Sequence, residues 1–265
     1  MAQCSAIANK YSEVKPTMSD TTSLPVYGAR ARIGLLVPSP NTVAETEFWR
    51  IAPPGVSIHT SRMPFFADDG ADAFKKMEEQ VPRVMAEAIT AQPSVIAYGC
   101  TASSAVGDPA AKERKLSDLA GLTTVTAAAA LLAALRTFKA KKIALVTPYP
   151  QAINDKERKF FAQNGVEVIC DESLIVDPGQ QQLRNMFKVP TALLIERAVA
   201  LGSNPDVEAI VLSCCDMPTL DAIEQIEVRT GKPVTTSTQA LLWRSLRAAG
   251  IDDAVQNCGR LLMSD

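Results

Sequence analysis

Apolar residues along this chain fall in short continuous runs that alternate with stretches of helical period. ARIGLLVPSPN (31–41) is apolar without a break until a proline-rich loop, the pattern of a strand covered on both faces. GVSIHTSRMP (55–64) predicts a second strand. In ADAFKKMEEQVPRVMAEAITA (71–91), Met77, Val81, Val84, Met85 and Ala88 recur at helical spacing. Pro82 within that stretch predicts a kink or a fresh helix start. PSVIAYGCTASS (93–104) is an apolar strand running into a loop of small residues, and AAAALLAALRTF (127–138) is helical. KKIALVTPYPQ (141–151) then begins the series again.

The restart has a register. IGLLVPSPN begins at Ile33 and IALVTPYPQ at Ile143, an offset of 110 that pairs Pro38 with Pro148, Ser39 with Tyr149, Pro40 with Pro150 and Asn41 with Gln151. SVIAYGCTASS matches AIVLSCCDMPT with Cys100 opposite Cys214, an offset of 114. VTAAAALLAALR matches VTTSTQALLWRSLR with Leu131 opposite Leu241, at 110 again. Three segments in one order at nearly one offset predict an α/β fold of two pseudo-symmetric lobes, each a parallel sheet flanked by helices. The first lobe is expected to take 31–125 plus 235–265, and the second 126–234. Residues 1–30, polar and rich in Ser and Thr, are expected to be a disordered extension, with Met18 an alternative start. Parallel sheets bind ligands beyond the carboxyl ends of their strands. Four repeated loops, PSPN, GCTASS, PYPQ and SCCDMP, lie at such ends, so a cleft between facing lobes would receive all four.

Composition narrows the ligand. In 265 residues the net charge is −2 and apolar residues make up 47%, which leaves no basic face for nucleic acid and favours a small molecule or another protein as ligand. No apolar run reaches the roughly 18 residues of a membrane span, and the N-terminal stretch lacks a signal-peptide core, so a cytoplasmic protein is expected. Six cysteines without a CxxC spacing read as free thiols. The only histidine, His59, lies in a predicted strand and is expected to be structural, which rules out a multi-histidine metal site or a second histidine base.

Proton chemistry then falls to thiols, carboxylates, Tyr or Lys. Cys100 or Cys214 alone would read as a small buried residue ending a strand. As matched positions of a repeat, they place one thiol on each wall of one cleft. One can act as thiolate nucleophile or base while the other donates a proton from the opposite face, with no metal or redox cofactor required. Backbone N–H groups in such strand-to-helix loops favour both a thiolate and a bound carboxylate.

Cys100 in YGCT, Cys214 in SCCDMPTL and the strand-loop IGLLVPSPNTVAETE resemble the aspartate/glutamate racemase superfamily, in the branch holding maleate cis–trans isomerase, arylmalonate decarboxylase and the ectoine-utilisation proteins. The resemblance covers about residues 31–252. It implies a cofactor-independent site between the lobes and a homodimer or higher homo-oligomer. For a maleate isomerase it implies that Cys100 adds as thiolate to the double bond while Cys214 protonates the neighbouring carbon. It also implies that Asn41 and Tyr149 bind the carboxylates of a small substrate. Both are neutral donors, suited to gripping a carboxylate. Thr101, Ser39 and Cys215, in the same loops, are expected to contact substrate, with Cys215 shaping the cleft wall.

Arylmalonate decarboxylase has glycine where Cys100 stands, so Cys100 speaks for chemistry that needs two thiols. The leading expectation is maleate-to-fumarate isomerisation. A two-thiol racemase, an arylmalonate-type decarboxylase and a non-catalytic ectoine-utilisation-like relative are the alternatives. Cys215 and Asp216 stand where relatives carry uncharged residues, and Ser103 could donate to a carboxylate. Arg62 is expected to hold a loop, Thr235 to Thr238 to cap a helix, KAKK (139–142) to be a solvated turn and Cys170 to pack in the core; Cys4 and Cys258 receive no role.

Overall fold

The computed structural model describes residues 27–66, 72–176, 183 and 185–264. Two four-stranded parallel sheets carry the fold. The first holds β1 (Ala31–Pro38), β2 (Val56–Met63), β3 (Val95–Tyr98) and β4 (Thr124–Thr126) in the order β2-β1-β3-β4. The second holds β5 (Lys142–Thr147), β6 (Glu167–Ser173), β7 (Ala209–Leu212) and β8 (Val234–Thr236) in the order β6-β5-β7-β8. The two sheets repeat each other in register. Ile33 lies opposite Val95 and Ile143 opposite Ala209, so partners in the first sheet recur in the second at 143 − 33 = 110 and 209 − 95 = 114. Ile96 opposite Thr124 likewise recurs as Ile210 opposite Val234. Every residue of β3 and β7 is buried, which is why these strands read as unbroken apolar runs.

Ten α-helices among the described residues flank the sheets: α1 (Ala44–Ile51), α2 (Ala73–Glu79), α3 (Val81–Ala88), α4 (Thr101–Ser104), α5 (Pro109–Ala120), α6 (Ala127–Thr137), α7 (Gln151–Gln163), α8 (Thr191–Gly202), α9 (Leu220–Thr230) and α10 (Ser237–Ala248). Pro82 marks a fresh start rather than a kink. It sits in the first turn of α3, where its missing N–H would have had no helical partner. The faces of α2 and α3 bury Met77, Val81, Val84, Met85 and Ala88.

One crossing joins the sheets. Helix α10 follows β8 of the second sheet but packs on β3 of the first and along α6, while α6 follows β4 and also touches β8. A single buried cluster therefore runs from Leu35 and Ala97 to Leu145 and Val211. Thr236 anchors α10 with a capping box: its hydroxyl accepts from the Gln239 N–H, and Gln239 reaches back to the Thr236 N–H. Of the expected N-terminal extension, residues 1–26, with Cys4 and Met18, lie outside the described residues; 27–30 form a turn into β1. His59 lies on β2, its Nε2 2.9 Å from the Ser57 hydroxyl, away from the loops at the strand ends. Among the described residues no helix is long and apolar enough to cross a membrane.

Candidate active site

The loops after β1, β3, β5 and β7 converge on a cavity of about 40 Å³. The first lobe contributes Asn41, Cys100 and Thr101; the second contributes Tyr149, Cys214, Cys215 and Asp216. Its walls are otherwise apolar, with Phe65, Phe74 and Met186. Cys100 is brought to the wall by a close chain crossing. A Cβ on Gly99 would lie 3.1 Å from the Leu36 carbonyl oxygen, to which the Gly99 N–H donates at 2.7 Å. A side chain there would press on that backbone oxygen, so glycine eases the close approach of β1 and the end of β3.

The two cysteines share burial but not surroundings. Cys100 ends the extended chain and caps the short helix α4. Burial pushes its thiol up, and the Ser103 hydroxyl, the Ser103 N–H and the charge of Lys112 pull it back. Burial pushes Cys214 well above the ordinary thiol range, and the neighbouring Asp216 carboxylate adds to the effect. The Tyr149 hydroxyl and the Asp216 N–H, the latter 3.2 Å from Sγ, offset part of it. Both thiols have donors and a carboxylate in reach, Glu78 for Cys100 and Asp216 for Cys214, but Cys100 also has the cation Lys112, and Cys214 is pushed up further. The first is the easier to ionise and the second the better proton reservoir.

Asp216 is itself held up at about 6 by burial, against the pull of the Thr42 and Val43 N–H groups and Arg62. The Thr42 N–H donates to its Oδ1 at 2.9 Å, so the carboxylate ties the second lobe to the start of α1. Asn41 makes a parallel tie. Its Nδ2 donates to the Cys215 carbonyl at 2.9 Å, while Oδ1 accepts from Val43 (3.1 Å) and Ala44 (3.0 Å). Asn41 also lines the cavity. Thr101 donates to the Ser237 hydroxyl at 2.8 Å and stands 3.5 Å from the Cys215 sulfur, which burial pushes far up.

Ser39 is placed differently from its expected role as a substrate contact. Its hydroxyl accepts from the Phe65 N–H at 3.0 Å and donates to the Phe65 carbonyl at 3.2 Å, and the residue does not line the cavity. The loop turns its side chain toward the end of β2. Arg62 holds that same loop, donating to the Ser39 (3.0 Å) and Asn41 (2.6 Å) carbonyls. Of the threonines after Pro233, only Thr236 caps the helix; the hydroxyls of Thr235 and Thr238 are buried without a partner among the described residues.

The family model of arylmalonate decarboxylase matches residues 72–262, most of the chain and both cysteine loops. The chain belongs to the arylmalonate decarboxylase family. Within and around that family it is similar to the maleate isomerase of Nocardia farcinica, 31% identical over 88% of this chain and 96% of the relative. The maleate isomerase of Geobacillus stearothermophilus is 29% identical over 87% of this chain and 96% of its own length. In three dimensions it resembles a cysteine-to-serine variant of the Nocardia farcinica maleate cis–trans isomerase carrying a covalently bound succinylcysteine intermediate. That structure matches with a TM-score of 0.81 and 27% identity, over 89% of this chain and 99% of the other.

The sequence suggests Ser103 only as a donor to substrate and gives no direct pointer to Tyr98, Glu78 or Lys112. Ser103 instead faces the sulfur of Cys100. The repeat does carry a trace of this role. The Ser103 hydroxyl lies 2.9 Å from the Tyr98 hydroxyl, and at an offset of 114 Ser103 is paired with Met217 and Tyr98 with Leu212, so this polar pair exists in one repeat only.

Proposed function

We propose that the protein is a cysteine-dependent maleate cis–trans isomerase, with Cys100 as nucleophile and Cys214 as proton donor. The Cys100 thiolate adds to one alkene carbon of maleate. The displaced electron pair appears on the neighbouring carbon, which takes the proton of the Cys214 thiol. The former double bond is now single and rotates. The Cys214 thiolate then removes that proton, the double bond reforms as trans, and Cys100 leaves as thiolate, giving fumarate. Atoms and electrons balance without a cofactor.

The observation that carries this reading is the pair of thiols from two sheets lining one cavity, one with the cation Lys112 in reach and the other pushed further up by burial and Asp216. The covalent succinylcysteine in the Nocardia farcinica relative supports the same addition step. In this reading Asn41 positions a substrate carboxylate, and Tyr149, Thr101 and Cys215 form the wall against which the substrate rests. Ser39 is left out, because its hydroxyl is spent on Phe65. We also propose a cytoplasmic enzyme, consistent with unpaired Cys100, Cys170, Cys214, Cys215 and Cys258. As the family resemblance implies, it would work as a homodimer or larger homo-oligomer.

The test is to incubate freshly reduced protein with maleate and follow fumarate by proton NMR. Turnover is expected from the wild type and its loss from Cys100→Ala and from Cys214→Ala. Activity surviving either substitution would refute the mechanism. A Cys100→Ala protein that releases carbon dioxide from an arylmalonate would move the assignment to decarboxylation.

A further inference from the structure

A substrate with two carboxylates has to reach a cavity whose own walls do not attract it. Among the described residues, the lining of the first cavity holds no Lys, Arg or His. Its one acid, Asp216, is held up at about 6 and is charged at neutral pH, which opposes a dianion. The cations stand next door. A second cavity, of about 360 Å³, shares Phe74 and Ala102 with the first as a common wall. Three lysines reach it from three helices and both lobes: Lys75 from α2, Lys112 from α5 and Lys156 from α7. Lys75, Lys156 and Val106 line it and are exposed, so this cavity opens to solvent.

We propose that the second cavity is the entry chamber of the active site, where Lys75 and Lys156 draw in a small dicarboxylate dianion ahead of its passage between Phe74 and Ala102. The charges about the chamber leave these two lysines free for the task. Lys112 is already engaged: its Nζ donates to Glu78 Oε1 at 2.8 Å and to the Ser103 carbonyl at 2.6 Å. Lys75 and Lys156 have no ion-pair partner among the described residues. Glu157, the remaining acid of the chamber, is buried and held up at about 8, so at pH 7 it is neutral and does not cancel them. The chamber is therefore positive where the reaction cavity is negative. Low-dielectric walls focus such a field and raise the local concentration of an anion. In the shared wall Ala102 offers only a methyl group, and the movable part is Phe74. Its ring is half-buried and packs on Phe65, with centroids 5.2 Å apart. That the anion is a dicarboxylate rests on the isomerase reading above; the chamber itself does not.

Coulomb's law sets the scale. Two lysine charges about 8 Å from a monoanion in water enrich it about fivefold at low salt, and a dianion by more. At about 0.5 M salt the screening length falls to about 4 Å, and most of the enrichment is lost.

Two reagents read the chamber without maleate. Iodoacetate is an anion, iodoacetamide is its neutral counterpart, and both alkylate the Cys100 thiolate. The ratio of their rates at one pH cancels the thiolate fraction. Peptide mass spectrometry of Cys100 in the full-length protein at pH 7, in about 10 mM and about 0.5 M salt, gives that ratio. Lys75→Gln/Lys156→Gln should lower the iodoacetate-to-iodoacetamide ratio about fivefold at low salt and hardly at all at high salt. Lys139→Gln/Lys141→Gln makes the same change in net charge on exposed residues ahead of β5, at the end of the sheet away from the cavities, and should leave the ratio unchanged. Ile153→Trp from α7, and Val106→Trp from the exposed loop of the first lobe, each narrow the chamber and should slow both reagents severalfold. A ratio in the Lys75→Gln/Lys156→Gln protein equal to that of wild type would overturn the proposal. So would a lowered ratio there with both tryptophan variants alkylated at the wild-type rate, because the lysines would then act through their field and not at an entrance. With maleate at low salt, Lys75→Gln/Lys156→Gln should keep kcat and raise KM about tenfold. A wild type that shows the alkylation pattern but no maleate turnover would leave the chamber standing and remove the isomerase assignment.

Discussion

Glu157, on α7, is a buried carboxyl without a hydrogen-bond partner among the described residues. It is 1% exposed, and neither oxygen meets a donor at bonding geometry. Its twin in the repeat, Glu47 (157 − 110), is equally buried but accepts from the Thr219 N–H (2.6 Å), the Leu220 N–H (2.9 Å) and the Thr219 hydroxyl (3.2 Å), at the start of α9. The corresponding stretch of the first repeat, Ala105–Val106, leaves Glu157 facing the second cavity. Burial holds Glu157 up at about 8 from an ordinary 4.5, with the nearby Ser213 hydroxyl offsetting a minor part. The sign follows from proton counting. Below pH 4.5 folded and unfolded chains both carry the proton, and between 4.5 and 8 only the folded chain keeps it. Unfolding there releases a proton, so stability falls as pH rises, by about 1.4 kcal/mol per unit. The loss reaches about 5 kcal/mol by pH 8, and about 3 kcal/mol is already lost at pH 7. Glu157→Gln keeps the shape and the neutral form. It should match wild type near pH 4.5 and exceed it by about 3 kcal/mol at pH 7. Urea unfolding of both proteins at pH 5, 6, 7 and 8, read by circular dichroism, measures the difference. Asp216, Glu47 and Glu227 are also held up by burial, but they are common to both proteins and cancel. A wild-type-minus-variant difference that does not change with pH would refute the reasoning.

Asp216→Asn removes the carboxylate that holds Cys214 up, so iodoacetamide should alkylate Cys214 faster at pH 8, by up to about tenfold. It should also lower the KM for a dianionic substrate above pH 6, where Asp216 is charged, and leave it unchanged near pH 5. Tyr149→Phe removes a donor to the Cys214 sulfur, worth about 1 kcal/mol or more, and should lower kcat about tenfold with an unchanged unfolding midpoint. Cys215→Ala should retain turnover and lose about 1 kcal/mol of stability, because its buried sulfur makes one weak hydrogen-bond contact among the described residues, to Thr101 at 3.5 Å; loss of turnover would place Cys215 in the chemistry.

The sheets were legible because their strands are covered on both faces and leave continuous apolar runs, and because the runs recur at one offset. That offset alone brought Cys100 and Cys214 to one cavity. The pairing of α6 with α10 also left a trace, in the match of VTAAAALLAALR to VTTSTQALLWRSLR. Side-chain direction was less legible. Nothing in PSPN says that the Ser39 hydroxyl turns to Phe65 while Asn41 turns inward, since both are short polar residues in one loop and the choice is made by β2 and Arg62. Glu78 and Lys112 were out of reach for a different reason. They lie on α2 and α5 and meet only through the tertiary packing of those helices about β3.

The repeat also explains why two alike cysteines have unlike surroundings. At the offset of 114, Thr101 is the twin of Cys215, Ala102 of Asp216 and Ser103 of Met217. Thr101 and Cys215 meet each other, 3.5 Å apart, where the two loops come together. One step further along each loop the symmetry breaks. The first loop has a methyl group where the second has a carboxylate, and a hydroxyl where the second has a thioether. The carboxylate raises the thiol beside it, and the hydroxyl lowers the other. Residues in these two loops, with Lys112 and Tyr149 beside them, thus give two symmetric thiols unlike surroundings. In VLSCCDMP the residue that makes Cys214 different from Cys100 is Asp216, not the second cysteine.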